Sequence, residues 1–158
     1  MAKFATIDEY IAAIDKAINL ISNGIGDAVE VAAHDMAVTI ADRNIKKQEN
    51  RFGGKNRPYS VSYAAFRKAH GMKNNENRSF RLSGLMWGGF DAESAGTYSA
   101  IITFGGAHAE MAEYNELRDP GFYLPSEKEI DTAKDDVIAF VLDVLQQVEI
   151  SENKDNVL

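Results

Sequence analysis

The sequence predicts a single α+β domain, in which a small antiparallel sheet built on one β-hairpin packs against long N-terminal, middle and C-terminal helices. Two patterns predict this class. Stretches near both ends carry apolar residues at three- and four-residue spacing, which is typical of amphipathic helices, and one central stretch alternates apolar and polar residues, as half-buried strands do. The 158 residues suit one domain spanning 1–158, with a polar tail at about 150–158.

Two helices are predicted in the first third of the chain. Thr6 and Glu9 have the spacing of a capping box, which opens a helix over 7–22. Gly24 is expected to end it, because glycine readily adopts the left-handed conformation that closes helices. A second helix is predicted over about 26–48.

The second predicted helix is apolar on two sides. At about 100° per residue, its two sets are Val29, Ala33, Met36 and Ile40 and, nearly opposite, Val31, Val38 and Ile45. A helix of this kind must be covered twice, either entirely by its own chain or on one side by a neighbouring subunit. We therefore treat the second set as a candidate subunit interface.

The middle of the chain is rich in loops. Polar loops are predicted at 50–57 and 72–79, and they flank a short helix at 62–70 with Ser62 as N-cap and Gly71 as the stop. The loops place this part of the chain at the surface, where a partner can reach it.

A β-hairpin is predicted next. Its strands are 85–92 and 97–104, closed by a turn at 93–96, and the face that carries Tyr98, Ala100, Ile102 and Phe104 is expected to pack on the helices.

A helical pattern at 107–117 and a turn-rich connector at 118–125 then lead to the last helix. Ser126 and Glu129 form another capping box, which opens a helix to about Val148.

Charge is distributed unevenly along the chain. Lys and Arg number 2 against 7 acidic residues in 1–42, 11 against 2 in 43–81, and 4 against 15 in 82–158. The middle segment either meets a polyanion or an acidic protein surface, or is a solvated face that balances the acidic ends. The candidate contact residues are Arg51, Lys55, Arg57, Arg67 and Lys68.

The sequence gives little sign of catalytic chemistry. It has no cysteine, and His34, His70 and His108 lack partners at metal-site spacing. Glu110 and Glu113 share a helix face, but that spacing is ordinary for a surface and has no nucleophile or base beside it. We expect no enzyme, no metal and no cofactor. No apolar run approaches the roughly 20 residues of a membrane span, so no membrane association is expected either.

Five features in order resemble the tail-completion or head-tail joining proteins of long-tailed bacteriophages. An Ala-rich long helix precedes a basic loop. NRSFRLSGLMWGGF is similar to the family's Thr-Gly-x-Leu-Arg-x-Ser stretch before a hairpin, with Arg81-Leu82 and Ser83-Gly84-Leu85 as the nearest matches. AHAEMAEYNE is similar to its Tyr-Ala-x-x-x-Glu-x-Gly segment, and DPGFYLPSEKEI to its Arg-Pro-Phe-Leu-x-Pro connector. The likeness covers roughly 25–148.

This resemblance implies a structural subunit of a homo-oligomeric ring, a hexamer or a dodecamer, in the neck or at the tail end of the virion. Such a ring completes the tail and joins it to the head connector. The implied partners are neighbouring connector and tail-tube proteins, with DNA passing through the lumen, and assembly takes place in the host cytoplasm. No catalytic residue comes with the family.

A second hypothesis is an intracellular nucleic-acid-binding accessory protein. Arg57, Arg67 and Lys68 alternate with aromatic residues in the 43–81 segment, as cations and rings do on surfaces that track a phosphate backbone and stack bases.

Overall fold

The computed structural model describes residues 6–73, 75–80, 85–106 and 108–155. It describes side chains up to residue 148, except that of Leu85. The predicted residues Arg81, Leu82, Ser83 and Gly84 of the family-like stretch lie outside this description. The elements in chain order are α1 (Ile7–Asp42), a π-helical turn (Arg43–Lys47), α2 (Val61–Ala69), α3 (Leu85–Gly88), β1 (Phe90–Gly96), β2 (Ser99–Phe104), α4 (His108–Arg118) and α5 (Glu127–Asp155). The predicted α+β class is confirmed.

A single helix replaces the two predicted in the first third of the chain. The predicted capping box is present: the Thr6 hydroxyl accepts from the Glu9 N–H, and the Glu9 carboxylate accepts from the Thr6 N–H. α1 then continues without a break for 36 residues, so the predicted stop at Gly24 is wrong.

The glycines in the middle of α1 allow close packing rather than ending the helix. A Cβ on Gly24 would lie 2.6 Å from the Phe140 ring of α5, and a Cβ on Gly26 would lie 2.9 Å from the Thr97 carbonyl oxygen at the hairpin tip. Glycine in a helix normally weakens it relative to alanine, so these residues are explained by the approach of neighbouring elements on either side.

α1 ends in a π-helical turn. Gln48 follows it in the left-handed conformation, with φ of 54°, and closes the helix. Within the turn, Asn44 is fully buried and its amide donates to the carbonyls of Ile40 and Phe122, at 3.1 and 2.9 Å. The turn thereby attaches the end of α1 to the connector before α5.

The short helix α2 is present at nearly the predicted place. Its N-cap is Ser60, whose hydroxyl accepts from the Tyr63 N–H, and not the predicted Ser62. Gly71 follows the helix with φ of +67°, as expected for a stop residue.

The two strands form the predicted antiparallel hairpin, but its first strand is shorter than predicted. Residues 85–88 form the helical turn α3, and pairing begins at Phe90, opposite Phe104. The register shifts between Ser94 and Gly96, so the tip lies later than the predicted turn at 93–96. Ile102 and Phe104 face the core as predicted. Tyr98 does not: it is 66% exposed, because it lies in the turn before β2 rather than in the strand.

The main core lies between the second half of α1, the hairpin and the connector before α5. Its buried residues are Ala37, Ile40, Met86, Trp87, Phe90, Phe104, Ala112 and Phe122. Aromatic rings dominate it, with Phe90 and Phe104 centroids 4.5 Å apart and Trp87 edge-on to Phe90 at 5.3 Å. Such edge and offset arrangements suit the ring quadrupoles.

The last helix runs antiparallel to α1. The predicted capping box is formed, since Glu129 accepts from the Ser126 N–H and hydroxyl at 2.7 and 2.9 Å. A second, smaller cluster of Ala13, Ala17 and Val148 joins the far ends of the two helices. α5 continues to Asp155, beyond the predicted end near Val148 and into the predicted tail.

Candidate functional site

The predicted loop around Arg51 is a hydrogen-bonded turn. Asn50 organises it: its side-chain oxygen accepts from the N–H groups of Phe52 and Gly54, at 2.9 and 3.2 Å, and its own N–H donates to the Gly54 carbonyl at 2.8 Å. Phe52 at the tip is 82% exposed, and the Arg51 guanidinium lies 4.7 Å from the centre of its ring. We call residues 49–55 the Arg51 turn.

Two further cations lie at the surface here, Lys55 at the end of the turn and Arg57 just after it. Each forms an ion pair with a carboxylate of the same chain. The Lys55 ammonium is 3.1 Å from Glu49 and donates to the Lys47 carbonyl at 2.8 Å. The Arg57 guanidinium is 3.4 Å from Asp119. The side chains of Lys55 and Arg57 are 59% and 70% exposed, so both cations stay accessible to a partner.

Arg67 is not a surface contact residue, so this part of the prediction is wrong. Its side chain is buried under the Tyr59 ring, with the guanidinium 4.7 Å from the ring centre, and it donates to the Lys73 carbonyl at 3.2 Å. It stabilises the packing of α2 on the following loop. Lys68, the next residue, is exposed, because adjacent helical residues point about 100° apart.

Arg43, the first cation of the basic segment, is also buried. Its guanidinium nitrogen lies 3.2 Å from the Glu129 carboxylate, with only 8% and 6% of the two side chains exposed, and it donates to the Leu124 carbonyl at 2.9 Å. Burial lowers the pKa of Arg43, and the neighbouring Glu129 opposes that shift. An arginine remains charged under these conditions, so this pair is an internal ion pair that joins the ends of α1 and α5.

The positive surface is therefore smaller than the sequence count suggests. The exposed cations of the described part of the segment are Lys46, Lys47, Arg51, Lys55, Arg57, Lys68 and Lys73. Four of the five predicted contact residues are among them.

An open cleft of about 780 Å³ lies between the second half of α1, the Arg51 turn and the start of α5. Its walls include carboxylates, such as Asp35 and Asp136, as well as cations, such as Lys47 and Lys128. This mixture favours neither an anionic nor a cationic ligand.

The three histidines have structural surroundings. His34 Nδ1 lies 2.6 Å from Asp91 and links α1 to β1; this contact and the Ala92 N–H lower the pKa of Asp91, the backbone N–H having the larger effect. His70 contacts the Phe66 carbonyl at 2.8 Å, and the His108 ring packs against Gly89. In the ranges that the structure describes, no group of three or more His, Asp or Glu residues could hold a metal ion.

Of the predicted interface residues on α1, Val31 and Val38 are exposed, as an interface with another subunit requires. Ile45 is not part of that surface: it is half-buried and packs against the main core. The π-helical turn that contains Ile45 is wider than an α-helical turn, so the residue leaves the line that a regular helix would continue from Val38.

A larger apolar surface lies at the other end of the molecule. The three- and four-residue spacing of the isoleucines predicts an amphipathic helix over 7–22, but α5 packs against Ala13 and Ala17 rather than against those isoleucines. Ile7, Ile11, Ile14 and Ile18 are left 39–77% exposed. Their alternating four- and three-residue spacing, which Ile21 and Ile25 continue, is that of positions a and d of a heptad, the positions that coiled coils bury against a partner helix.

α5 adds a parallel stripe to this surface. Ile138, Leu142 and Leu145 have the same spacing and are 43–59% exposed. At about 100° per residue, the stripe on each helix lies about a third of a turn from the side that faces the other helix, in the same direction of rotation along both chains. Because the two helices are antiparallel, both stripes therefore lie on the same side of the helix pair. We call these seven residues, Ile7, Ile11, Ile14, Ile18, Ile138, Leu142 and Leu145, the isoleucine face.

The sequence shows the heptad spacing of the isoleucines, but it does not show that their side chains are exposed. The signal that could have found the face is the small Ala and Gly residues on the neighbouring side of α1, which favour that side for close packing against α5.

Comparison with protein-family models, with curated proteins and with solved structures finds no match to this chain. The resemblance to tail-completion proteins therefore stays a prediction. Within the described ranges, no helix is long and apolar enough to cross a membrane.

Proposed function

We propose that this chain is a structural subunit that assembles into a ring in the neck or at the tail end of a phage virion, completing the tail and joining it to the head connector. Its role is mechanical, and it acts without a catalytic residue or cofactor. It assembles in the host cytoplasm and remains in the virion.

The isoleucine face carries this proposal. Its exposures together equal nearly four fully exposed side chains, or roughly 700 Å², against the ~300–600 Å² of the largest apolar patch on a typical monomer. This area is close to the ~800 Å² that each partner buries in a standard protein interface. A subunit that buries this face against a neighbour accounts for it.

The order of elements supports the identity of the ring. A long Ala-rich helix, a basic turn, a hairpin, a short helix and a long last helix follow one another as the resemblance implies. The exposed cations beside the Arg51 turn would serve a ring through which DNA passes, because a positive lining attracts a polyanion.

Negative-stain electron microscopy of the purified full chain tests the proposal. We expect rings with a central lumen. The double variant Ile11→Glu/Ile18→Glu should abolish them while keeping the helical circular dichroism spectrum, because both residues are exposed in the single chain.

The matched control is the double variant Asn19→Glu/Asn23→Glu, which adds the same two charges at exposed positions on the same helix but away from the isoleucine face. This variant should form rings. Monodisperse monomers of the unmodified chain would contradict the proposal.

Nucleic-acid binding is the second candidate function, and the stacked Arg51 and Phe52 pair favours it, because exposed rings with cations bind single strands. Phosphate contacts release counterions, so affinity should fall steeply with added salt. Binding of a labelled oligonucleotide to the isolated chain, measured across a salt series, tests this function. Absent or salt-insensitive binding would dismiss it.

A further inference from the structure

The isoleucine face has an acidic border. Asp8 and Asp15 are exposed, and each directly follows an isoleucine of the face on α1. On α5, Asp131, Lys134 and Asp135 are exposed near Ile138 and together carry a net negative charge. Two copies that met through this same face would bring their acidic borders together, which costs binding energy. The border therefore favours a partner surface that is apolar at its centre and positive at its edge.

The Arg51 turn is such a surface. It presents the exposed Phe52 ring with Arg51 against it and Lys55 beside it. Arginine and aromatic side chains are the groups that most often dominate binding at interfaces. The two hydrogen bonds that the Asn50 side-chain oxygen accepts fix the conformation of the turn before it binds, so little conformational entropy is lost when the turn docks.

The Arg51 turn and the part of the isoleucine face beside Asp15 lie too far apart to meet within one chain. Ile14 and Lys47 are separated by 33 residues of nearly continuous helix, which at 1.5 Å per residue is about 50 Å. Contact between them requires a second copy.

We propose that the Arg51 turn of one copy docks on the isoleucine face of the next copy, with Phe52 against the isoleucines and Arg51 against Asp15. This deepens the proposed function and rests on it in one respect, that the chain assembles with itself. A contact between two different surfaces repeats head to tail, and it closes into a ring when the rotation between copies allows.

Cross-linking between single-cysteine variants tests the contact, since the natural chain has no cysteine. A tagged Ile18→Cys chain is mixed with an untagged Phe52→Cys chain and treated with a short bis-maleimide. We expect tagged–untagged dimers, and none when Asn23→Cys, exposed on nearly the opposite side of α1 from Ile18, replaces Ile18→Cys.

Two other results, one from cross-linking and one from cross-linking combined with electron microscopy, would overturn the contact. Dimers of Ile18→Cys with itself, without the mixed dimers, would show face-to-face packing. Rings in the microscope without the mixed dimers would show that the ring uses other surfaces, so the contact would fail while the proposed function stands. Mixed dimers from a chain that never enters virions would support the contact and overturn the proposed function.

A charge exchange gives a second test that does not depend on cysteine placement. Asp15→Arg should weaken self-association about tenfold, as measured by sedimentation equilibrium, because it sets two arginines against each other. Adding Arg51→Asp in the same chain should restore association to within about threefold of the natural chain. If the two substitutions weaken association independently, Arg51 and Asp15 do not meet.

Discussion

The buried Arg43 and Glu129 side chains should be strongly coupled, because each charge compensates the other in the interior. At their 3.2 Å separation and an effective dielectric constant of about 20, the attraction is about 5 kcal/mol. Removing one partner leaves the other charged and buried, which typically destabilises a protein by about 3–5 kcal/mol.

Arg43→Met and Glu129→Gln test this value. The Gln side chain still offers an acceptor to Ser126, so the capping box is kept and mainly the charge is lost. We expect each single variant to lower the free energy of unfolding by about 3 kcal/mol or more. The double variant should cost less than the sum of the two by about 2–3 kcal/mol.

Urea denaturation followed by circular dichroism measures these differences, with unchanged m-values as the control for two-state unfolding. Additivity of the two substitutions within about 0.5 kcal/mol would refute the reasoning, because independent sites behave in that way.

Three further predictions concern the packing and the turn. Gly26→Ala should destabilise the fold by about 1–3 kcal/mol, because its Cβ would lie 2.9 Å from a hairpin carbonyl oxygen. Asn23→Ala, at an exposed position of the same helix, is the control and should stabilise the fold slightly. Urea unfolding midpoints measure both effects, and a stabilising Gly26→Ala would contradict the contact. Asn50→Ala should raise amide hydrogen exchange within the Arg51 turn about tenfold, and unchanged protection would contradict the two side-chain hydrogen bonds. The pKa of the Asp91 carboxyl lies below its ordinary value of 3.8. The Asp91 carboxylate therefore contributes fully to stability above pH 3.8, and this contribution is lost as the pH falls through the lower pKa of the folded state. Asp91→Asn should remove this acid dependence, and an unchanged acid-unfolding curve would refute the prediction.

Local signals in the sequence predicted most of the secondary structure. The capping boxes at Thr6 and Ser126 depend on residues three apart, and both are formed. The inward face of the second strand followed from its alternation, and Phe104 is buried as expected. These features are determined within a few residues, so the sequence pattern contains them.

The errors arose where a distant part of the chain decides the outcome. Gly24 has the local character of a helix stop, but the Phe140 ring, more than 100 residues later, explains its small size. Arg67 is the exception: it has the local character of a surface cation, and Tyr59, which covers it, is close in sequence but precedes α2, so the periodicity of that helix does not indicate the contact. The Gly24 contact leaves no trace at short sequence spacing.

The candidate surfaces were partly predictable for the same reason. Arg51 and Lys55 were placed at the surface because their loop is polar and rich in glycine, and they are exposed. The isoleucine face was missed because periodicity identifies an apolar stripe without saying what covers it. Which side of α1 meets α5 depends on Ala13 and Ala17, and that choice leaves the isoleucines uncovered.

Native mass spectrometry of the full chain tests most directly whether it forms a closed ring. We predict one discrete oligomer whose mass is a fixed multiple of the 17.4 kDa subunit and does not grow with concentration. A monomer at every concentration, or an open series of oligomers without a preferred size, would contradict a ring-forming subunit.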